Sequence, residues 1–456
     1  MEFKEVKGMF DGPIIPVALR IALPIMFGNI LQLMYMIVDT YFISLIDLSS
    51  TALLAGTGLL FPLFFLFIAT GASLNIGISS LVGRTIGENN MESARRISGS
   101  ALAIALALGL PAMIVGLLFG RQLVGVLAGS EMSPAAISYG LDYFYSILPG
   151  MVLLIIGQVF MGILQGEGST RIIAKAMLIS TVSNMILDPL FIFGFDLGVT
   201  GAGLATTVAH LVALLYLLSY MASGKCSVPV SFNVFHVQWR IVRELFRIGI
   251  PQFLNMASFS VGLMFLNKLV GGIGEHFMNA WTIAGRMDHI LIIPAISISG
   301  ATITMISQNY GRGNLDRVRR IYIKNVQLGM AMLLIFATLY ILLAPFLFPF
   351  FTDVESVLTA AVRQVRYLSH SLVGLTVSII SSAAFQAVGK PLPAVFFPLL
   401  RMGVLAVPLA YLMVHVYQTG MNGVFLGLAV GNLAIFPVSF FWARAHLRRL
   451  NFKAFI

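Results

Sequence analysis

A chain of 456 residues that is 58% hydrophobic and only 10% charged falls well short of the roughly 25% charged residues of a soluble domain. Its apolar runs last about 20–30 residues, the length of a membrane-spanning helix and too long for a barrel strand. The net charge of +10 does not point to nucleic acid, because the basic residues cluster between apolar runs; the single cysteine, Cys226, excludes an intramolecular disulfide and a cysteine-based metal cluster.

The chain opens on a polar stretch, MEFKEVKGMFDG. No short apolar core with a small-residue cleavage site follows it, so the first apolar run is expected to act as an uncleaved anchor. Hydropathy predicts twelve spans, at 14–43, 51–82, 96–120, 135–163, 170–194, 199–222, 244–270, 278–306, 321–350, 356–386, 392–416 and 422–446. Most Lys and Arg gather on one side of this plan. They are Lys4 and Lys7, then Arg84, Arg95 and Arg96, Arg171 and Lys175, Lys225, Arg240, Arg243 and Arg247, and Arg312, Arg317, Arg319, Arg320 and Lys324. Lys390, Arg401, Arg444, Arg448, Arg449 and Lys453 complete that side. The positive-inside rule makes it cytoplasmic and puts both termini there, in a multi-pass protein of the cell membrane.

The sequence repeats itself. GENNMESARRI (87–97) matches GRGNLDRVRRI (311–321) at a spacing of 224. GVTGAGLATTVAH (198–210) matches GMNGVFLGLAVGN (420–432) at 222, and LQGEGS (164–169) matches FQAVGK (385–390) at 221. Ala22-Leu23-Pro24 opens span 1 as Gly249-Ile250-Pro251 opens span 7. The predicted architecture is all-α and polytopic, with two pseudo-symmetric six-helix bundles over 1–225 and 226–456. Six spans per bundle give both the same topology, as in parallel-repeat transporters. The linker stretch VSFNVFHVQW (230–239) is amphipathic enough to lie on the inner membrane surface.

Two polar stripes interrupt the apolar spans. On span 1, Gly28, Gln32, Tyr35 and Asp39 recur at steps of 4, 3 and 4; on span 5, Thr181, Asn184 and Asp188 share one helix face. One charged residue at a membrane helix centre costs about 2.5–3.5 kcal/mol, so each acid needs a partner, a proton or a cation. Asp39, Asp188 and Thr206 of span 6 fall at a similar depth in the outer half of the membrane, and Gln158 of span 4 lies deeper. Two carboxylates brought together would titrate as a unit, and a neighbouring amide and hydroxyl also suit a hard monovalent cation such as Na⁺. The repeat places only apolar residues opposite these acids: Leu409 or Ala410 opposite Asp188, and Leu266 opposite Asp39. Each residue also has a plainer explanation: snorkelling for Asp39, a helix end before Pro189 for Asp188, helix–helix adhesion for Asn184, and a bond to its own i−4 carbonyl for Thr206. His210 is either a proton relay or a satisfied core histidine. Gln32, Tyr35, Gln158, Met177, Thr181 and His210 are the candidate cavity-lining residues. Pro24 is a candidate hinge, because it removes a backbone bond inside span 1. Arg286 and Asp288 are two residues apart and do not face each other; each is expected to pair elsewhere. No phosphate-binding loop, nucleophile constellation or organic cofactor motif is present, which leaves H⁺ or Na⁺ as the coupling species and no enzyme activity to expect.

LPIMFGNILQLMYMIVDTYFI in span 1 and the paired loops GENNMESARR and GRGNLDRVRR resemble the multidrug and toxic compound extrusion (MATE) family over nearly the whole chain, most closely its DinF-like branch. The resemblance implies two lobes in a V, a monomer in lipid, and small drug-like organic substrates. It matches Asp39 to the family's span-1 acid and Pro24 to its bending proline. It also matches Asn184 and Asp188 to the span-5 pair and Thr206 to the span-6 threonine. The other large branch carries acids in spans 7 and 10, where this chain has Phe259 and an acid-free Leu372–Ala384 segment, so ion coupling is not expected in the second half. The implied function is secondary efflux of amphipathic or cationic compounds in exchange for H⁺ or Na⁺. The alternative is a flippase for lipid-linked oligosaccharide or another lipid.

Overall fold

The computed structural model describes residues 8–46, 52–128, 132–229, 231 and 237–451. Among them eleven helices are long and apolar enough to cross a membrane. They are α1 (Ile14–Ser44), α2 (Ala52–Gly87), α3 (Met91–Leu127), α4 (Pro134–Glu167), α5 (Thr170–Gly194), α6 (Gly198–Ala222), α7 (Trp239–Ile273), α8 (Glu275–Gly311) and α9 (Leu315–Phe350), then α11 (Leu392–His415) and α12 (Met421–Arg448). The twelfth span, α10, is the pair Glu355–Leu368 and Leu372–Ala387, bent by 53°. The fold is therefore the expected all-α polytopic one. Lys4, Lys7 and most of the 230–239 stretch lie outside the described residues.

The duplication is visible in local backbone geometry. Asn90 caps α3 by accepting from the Ser93 N–H at 2.9 Å, and Asn314 caps α9 by accepting from the Arg317 N–H at 3.3 Å. The residue before each cap has positive φ: Asn89 at 54° and Gly313 at 77°. In both turns the cap's own N–H reaches back 2.9 Å to a helix carbonyl, of Thr85 and of Asn309. Positive φ recurs in pairs elsewhere, at Gly168 and Gly389 after α4 and α10 and at Gly198 and Gly420 at the starts of α6 and α12. Left-handed backbone favours glycine or asparagine, which is why these positions survive as the legible part of the repeat.

Prolines modulate the spans. After Pro189 and after Pro398 the chain runs as short π-helical segments, Leu190–Gly194 and Leu399–Ala406. A proline lacks an N–H, and a wider turn lets the freed carbonyls find other partners inside a bilayer; the Phe195 N–H, for example, donates to the Leu190 carbonyl at 2.9 Å.

The chain divides into two compact units, but not at the expected boundary of 225. Phe27–Gly249 form the first, and the second holds the chain from Ile250 together with the start of α1 as far as Met26. The cause is packing. Val17, Ala18, Ile21 and Ala22 of α1 are buried in a core with Ile298, Ala301, Ile321 and Ile380. Arg317, expected in an inner-surface loop, is instead buried and donates to the carbonyls of Met9 (3.1 Å), Gly8 (3.0 Å) and Gly12 (2.6 Å). Asn309 donates to the Met9 carbonyl as well, at 3.2 Å. The start of α7 belongs reciprocally to the first unit, where Leu245 packs on Gly77 and Gly249 on Ser73. Pro24 and Pro251, which match in the repeat, thus stand beside the points where α1 and α7 change unit.

Candidate ion and substrate site

The polar stripes of α1 and α5 both lie in the first unit. Thr181, Asn184, Asp188 and Thr206 are all buried. The Asn184 amide donates to Asp188 Oδ1 at 3.1 Å, its i+4 neighbour, and to Thr206 Oγ1 at 3.4 Å. The Tyr35 hydroxyl is 3.0 Å from the same Thr206 oxygen. Thr206 therefore bonds across helices and not to its own preceding turn, and it gathers α1, α5 and α6 at one point. Asp39, one turn beyond Tyr35, is within electrostatic reach of both Asp188 and Tyr35. The four expected ion-site residues come together, and Tyr35, placed by sequence in the cavity, joins them.

Three oxygens in this cluster are buried with no hydrogen-bond partner: Asp39 Oδ1, Asn184 Oδ1 and Asp188 Oδ2. Buried polar atoms are normally bonded, and these three acceptors are not. The donor set is all oxygen, two carboxylates with an amide and hydroxyls, which is the chemistry of a hard ion. Among the described residues no group of three His, Cys, Asp or Glu side chains could hold a metal ion.

Below the cluster a cavity of about 100 Å³ opens inside the first unit. Gln32, Tyr35, Gln158, Met177, Thr181 and His210, the six expected residues, all line it, together with Leu154, Met161 and Ser180. Gly28 belongs to the α1 stripe for a steric reason: a Cβ there would run into the Met177 thioether. Gln158 accepts from the Asn75 amide on α2, at 3.1 Å to its side chain and 3.3 Å to its carbonyl. Asn75 escaped the sequence reading, because a single amide in the Ser- and Gly-rich run 71–87 carries no charge and no stripe. His210 donates Nδ1–H to the Gly150 carbonyl at 3.1 Å. That bond and the Thr207 hydroxyl to the Ser146 carbonyl, 2.9 Å, seat α6 on α4. One ring nitrogen of His210 is therefore committed to structure. Among the described residues, Tyr35 alone is common to the cavity lining and the hydrogen bonds of the carboxylate cluster.

A twelve-span, internally duplicated helical membrane protein with this kind of enclosed polar site belongs to the class of membrane transporters. The family model described as MatE matches residues 24–190 and 251–412, one match in each half, and the chain belongs to that family. It is 24% identical over 419 residues to the multidrug export protein MepA of Staphylococcus aureus, covering 92% of this chain and 91% of that one. It is 29% identical over 442 residues to a protein of Shewanella oneidensis named FAD transporter, covering 94% of each. Among solved structures it superposes on the MATE transporter ClbM in complex with Rb⁺ with a TM-score of 0.86 and 31% identity, covering 97% of this chain and 98% of that one.

Proposed function

We propose that this protein is a secondary antiporter of the cell membrane, with both termini cytoplasmic, that exports amphipathic, often cationic organic compounds in exchange for H⁺ or Na⁺. One observation carries the reading: three bare buried oxygens on Asp39, Asn184 and Asp188 are joined to a cavity through the Tyr35–Thr206 hydrogen bond. When both acids are ionised they repel one another in a low-dielectric site. A proton or Na⁺ taken up there removes that repulsion and lets α1 draw toward α5 and α6. Tyr35 transmits the movement to the cavity wall, and Pro24, where α1 changes unit, supplies the bend. Ion uptake at the cluster and substrate occupancy of the cavity are thus coupled through Tyr35, which is the linkage that antiport requires. MepA as a multidrug export protein supports the substrate class, and the Rb⁺ complex of ClbM supports cation binding in a relative of this fold.

A second reading has a specific observation behind it. The relative named FAD transporter matches at higher identity than MepA, and its substrate by name is a dinucleotide. The deciding experiment is efflux of a cationic dye from proteoliposomes under imposed ΔpH or ΔNa⁺. Asp39→Asn and Asp188→Asn should each abolish gradient-driven efflux while the protein remains folded. Full efflux by both variants overturns the coupling scheme. Transport of FAD with indifference to cationic dyes selects the second reading, and rescue of a lipid-carrier defect with indifference to both selects a flippase.

A further inference from the structure

The second unit contains its own cavity, of about 300 Å³, at the small end of the ligand-pocket range. Its walls are the repeat of the first unit's walls. At the proline spacing of 227, Gln32 corresponds to Phe259; at 221, Leu154, Ser180 and Thr181 correspond to Leu375, Arg401 and Met402; at 222, His210 corresponds to Asn432. All ten of these residues line their respective cavities. The chemistry differs between the copies. Positions equivalent to Asp39 and Asp188 are apolar, and a guanidinium stands where the first unit has Ser180.

Arg401 was expected among the inner-surface bases. It lies instead within α11, on the π-helical segment Leu399–Ala406, and is only 4% exposed. Its NH1 donates to Asn432 Oδ1 at 2.9 Å. The Asn432 amide in turn donates to Ser371 Oγ at 3.0 Å, which fixes the amide and so the orientation of the guanidinium. The Phe259 ring lies 5.6 Å from the guanidinium carbon. Arg401 has five N–H donors, and Asn432 is its one hydrogen-bond partner among the described residues. No described carboxylate pairs with it. Asp288, on the same cavity wall, does not serve: its Oδ2 accepts from Gln364 at 3.3 Å and its Oδ1 is bare. Arg286 and His289 also line the cavity.

A buried, oriented guanidinium with no counter-charge and an aromatic ring beside it is built for an oxyanion that can accept two parallel hydrogen bonds. We propose that the second unit's cavity binds an organic anion, a carboxylate or phosphate carried on a compact apolar body, by charge-assisted hydrogen bonds to Arg401. The fork of Arg401 grips the anionic head bidentately, while Phe259, Trp281 and Met402 hold the body. The site is separate from the carboxylate cluster of the first unit, so failure of either assignment leaves the other standing.

The test is Trp281 fluorescence of the purified full-length protein titrated with 4-tert-butylbenzoate and with the matched neutral 4-tert-butylbenzamide. The carboxylate should bind at least about tenfold more tightly than the amide, as expected for a charge-assisted fork. Trp281→Phe should remove the signal, which places it in this cavity. Arg401→Gln should erase the preference for the carboxylate in a monodisperse preparation. If that variant does not fold, Arg401→Lys, which keeps charge but loses the fork, should weaken the preference several-fold. Nanodiscs of phosphatidylcholine with and without phosphatidylglycerol identify the natural occupant. Displacement of the probe by the anionic lipid makes it a lipid headgroup, no displacement makes it a soluble anion, and both support the site. Equal affinity for benzoate and benzamide, or an unchanged preference in Arg401→Gln, overturns the proposal.

Discussion

Asp188→Asn distinguishes a carboxylate kept for transport from one kept for folding. In the structure Asp188 is completely buried; Oδ1 accepts from Asn184 at 3.1 Å and Oδ2 has no partner. Asparagine preserves the oxygen that Asn184 uses and removes the charge. A charge near the centre of a membrane helix costs about 2.5–3.5 kcal/mol. Against that, a buried amide with unmet donors costs about 1–3 kcal/mol. The balance runs from about 0.5 kcal/mol against the variant to about 2.5 kcal/mol in its favour, using those two ranges. At roughly 2–4 °C per kcal/mol for a unit of this size, the unfolding midpoint on heating in detergent should hold or rise by several degrees. Gradient-driven efflux in proteoliposomes should disappear in the same preparation. A midpoint that falls by several degrees with efflux intact would refute the reasoning, because Asp188 would then be an acid that the fold needs.

Tyr35→Phe should act more narrowly. It removes one hydroxyl bonded to Thr206 at 3.0 Å, a net loss of about 0.5–1.5 kcal/mol, and leaves Asn184 to satisfy Thr206. Dye binding should change by no more than about twofold while gradient-driven export drops several-fold on the strength of that one bond; equal losses in both would mean that Tyr35 is only a cavity wall. Cys226, between α6 and α7, donates its thiol to Glu167 Oε2 at 3.0 Å. Burial, then the charge of Glu167, push the thiol well above its ordinary value. The thiolate is the reactive form, so iodoacetamide should label Cys226 far more slowly than free cysteine at pH 8, with the rate climbing only at strongly alkaline pH. Glu167→Gln should speed labelling at pH 8; an unchanged rate would show that burial alone protects the thiol.

Much of the site was legible because polar residues are conspicuous in an apolar chain. The steps of 3 and 4 along spans 1 and 5 put Gln32, Tyr35 and Asp39, and Thr181, Asn184 and Asp188, on common faces, and the structure gathers them in one unit. Three features were not legible. The change of unit at Met26 and Gly249 is not readable from hydropathy, because the same apolar pattern suits either core; the matched prolines stand beside it without announcing it. Arg401 counts among the inner-surface bases on charge alone, although it falls inside the predicted span 392–416. Its burial depends on Asn432, far along the chain. The burial of Arg317 had no signature either, since its partners are main-chain carbonyls of residues 8, 9 and 12.

The matched backbone turns and the divergent side chains together say what duplication preserved. The caps at Asn90 and Asn314, and positive φ at Gly168 and Gly389 and at Gly198 and Gly420, recur in both units, because they set where each helix starts and stops. The cavity walls kept their positions and changed their chemistry. The second cavity is also about three times the volume of the first, about 300 Å³ against about 100 Å³, so what the copies share is where the wall residues stand, and a polar group placed there needs a partner inside the bilayer. In the first unit the partners are Tyr35, Asn184 and Thr206 around two acids; in the second, Asn432 and Ser371 stand behind one arginine. Ion uptake requires groups whose charge can be cancelled, which carboxylates provide and a guanidinium does not. On the two proposals made above, the copies divide the work, with a cation handled in one and an anion held in the other.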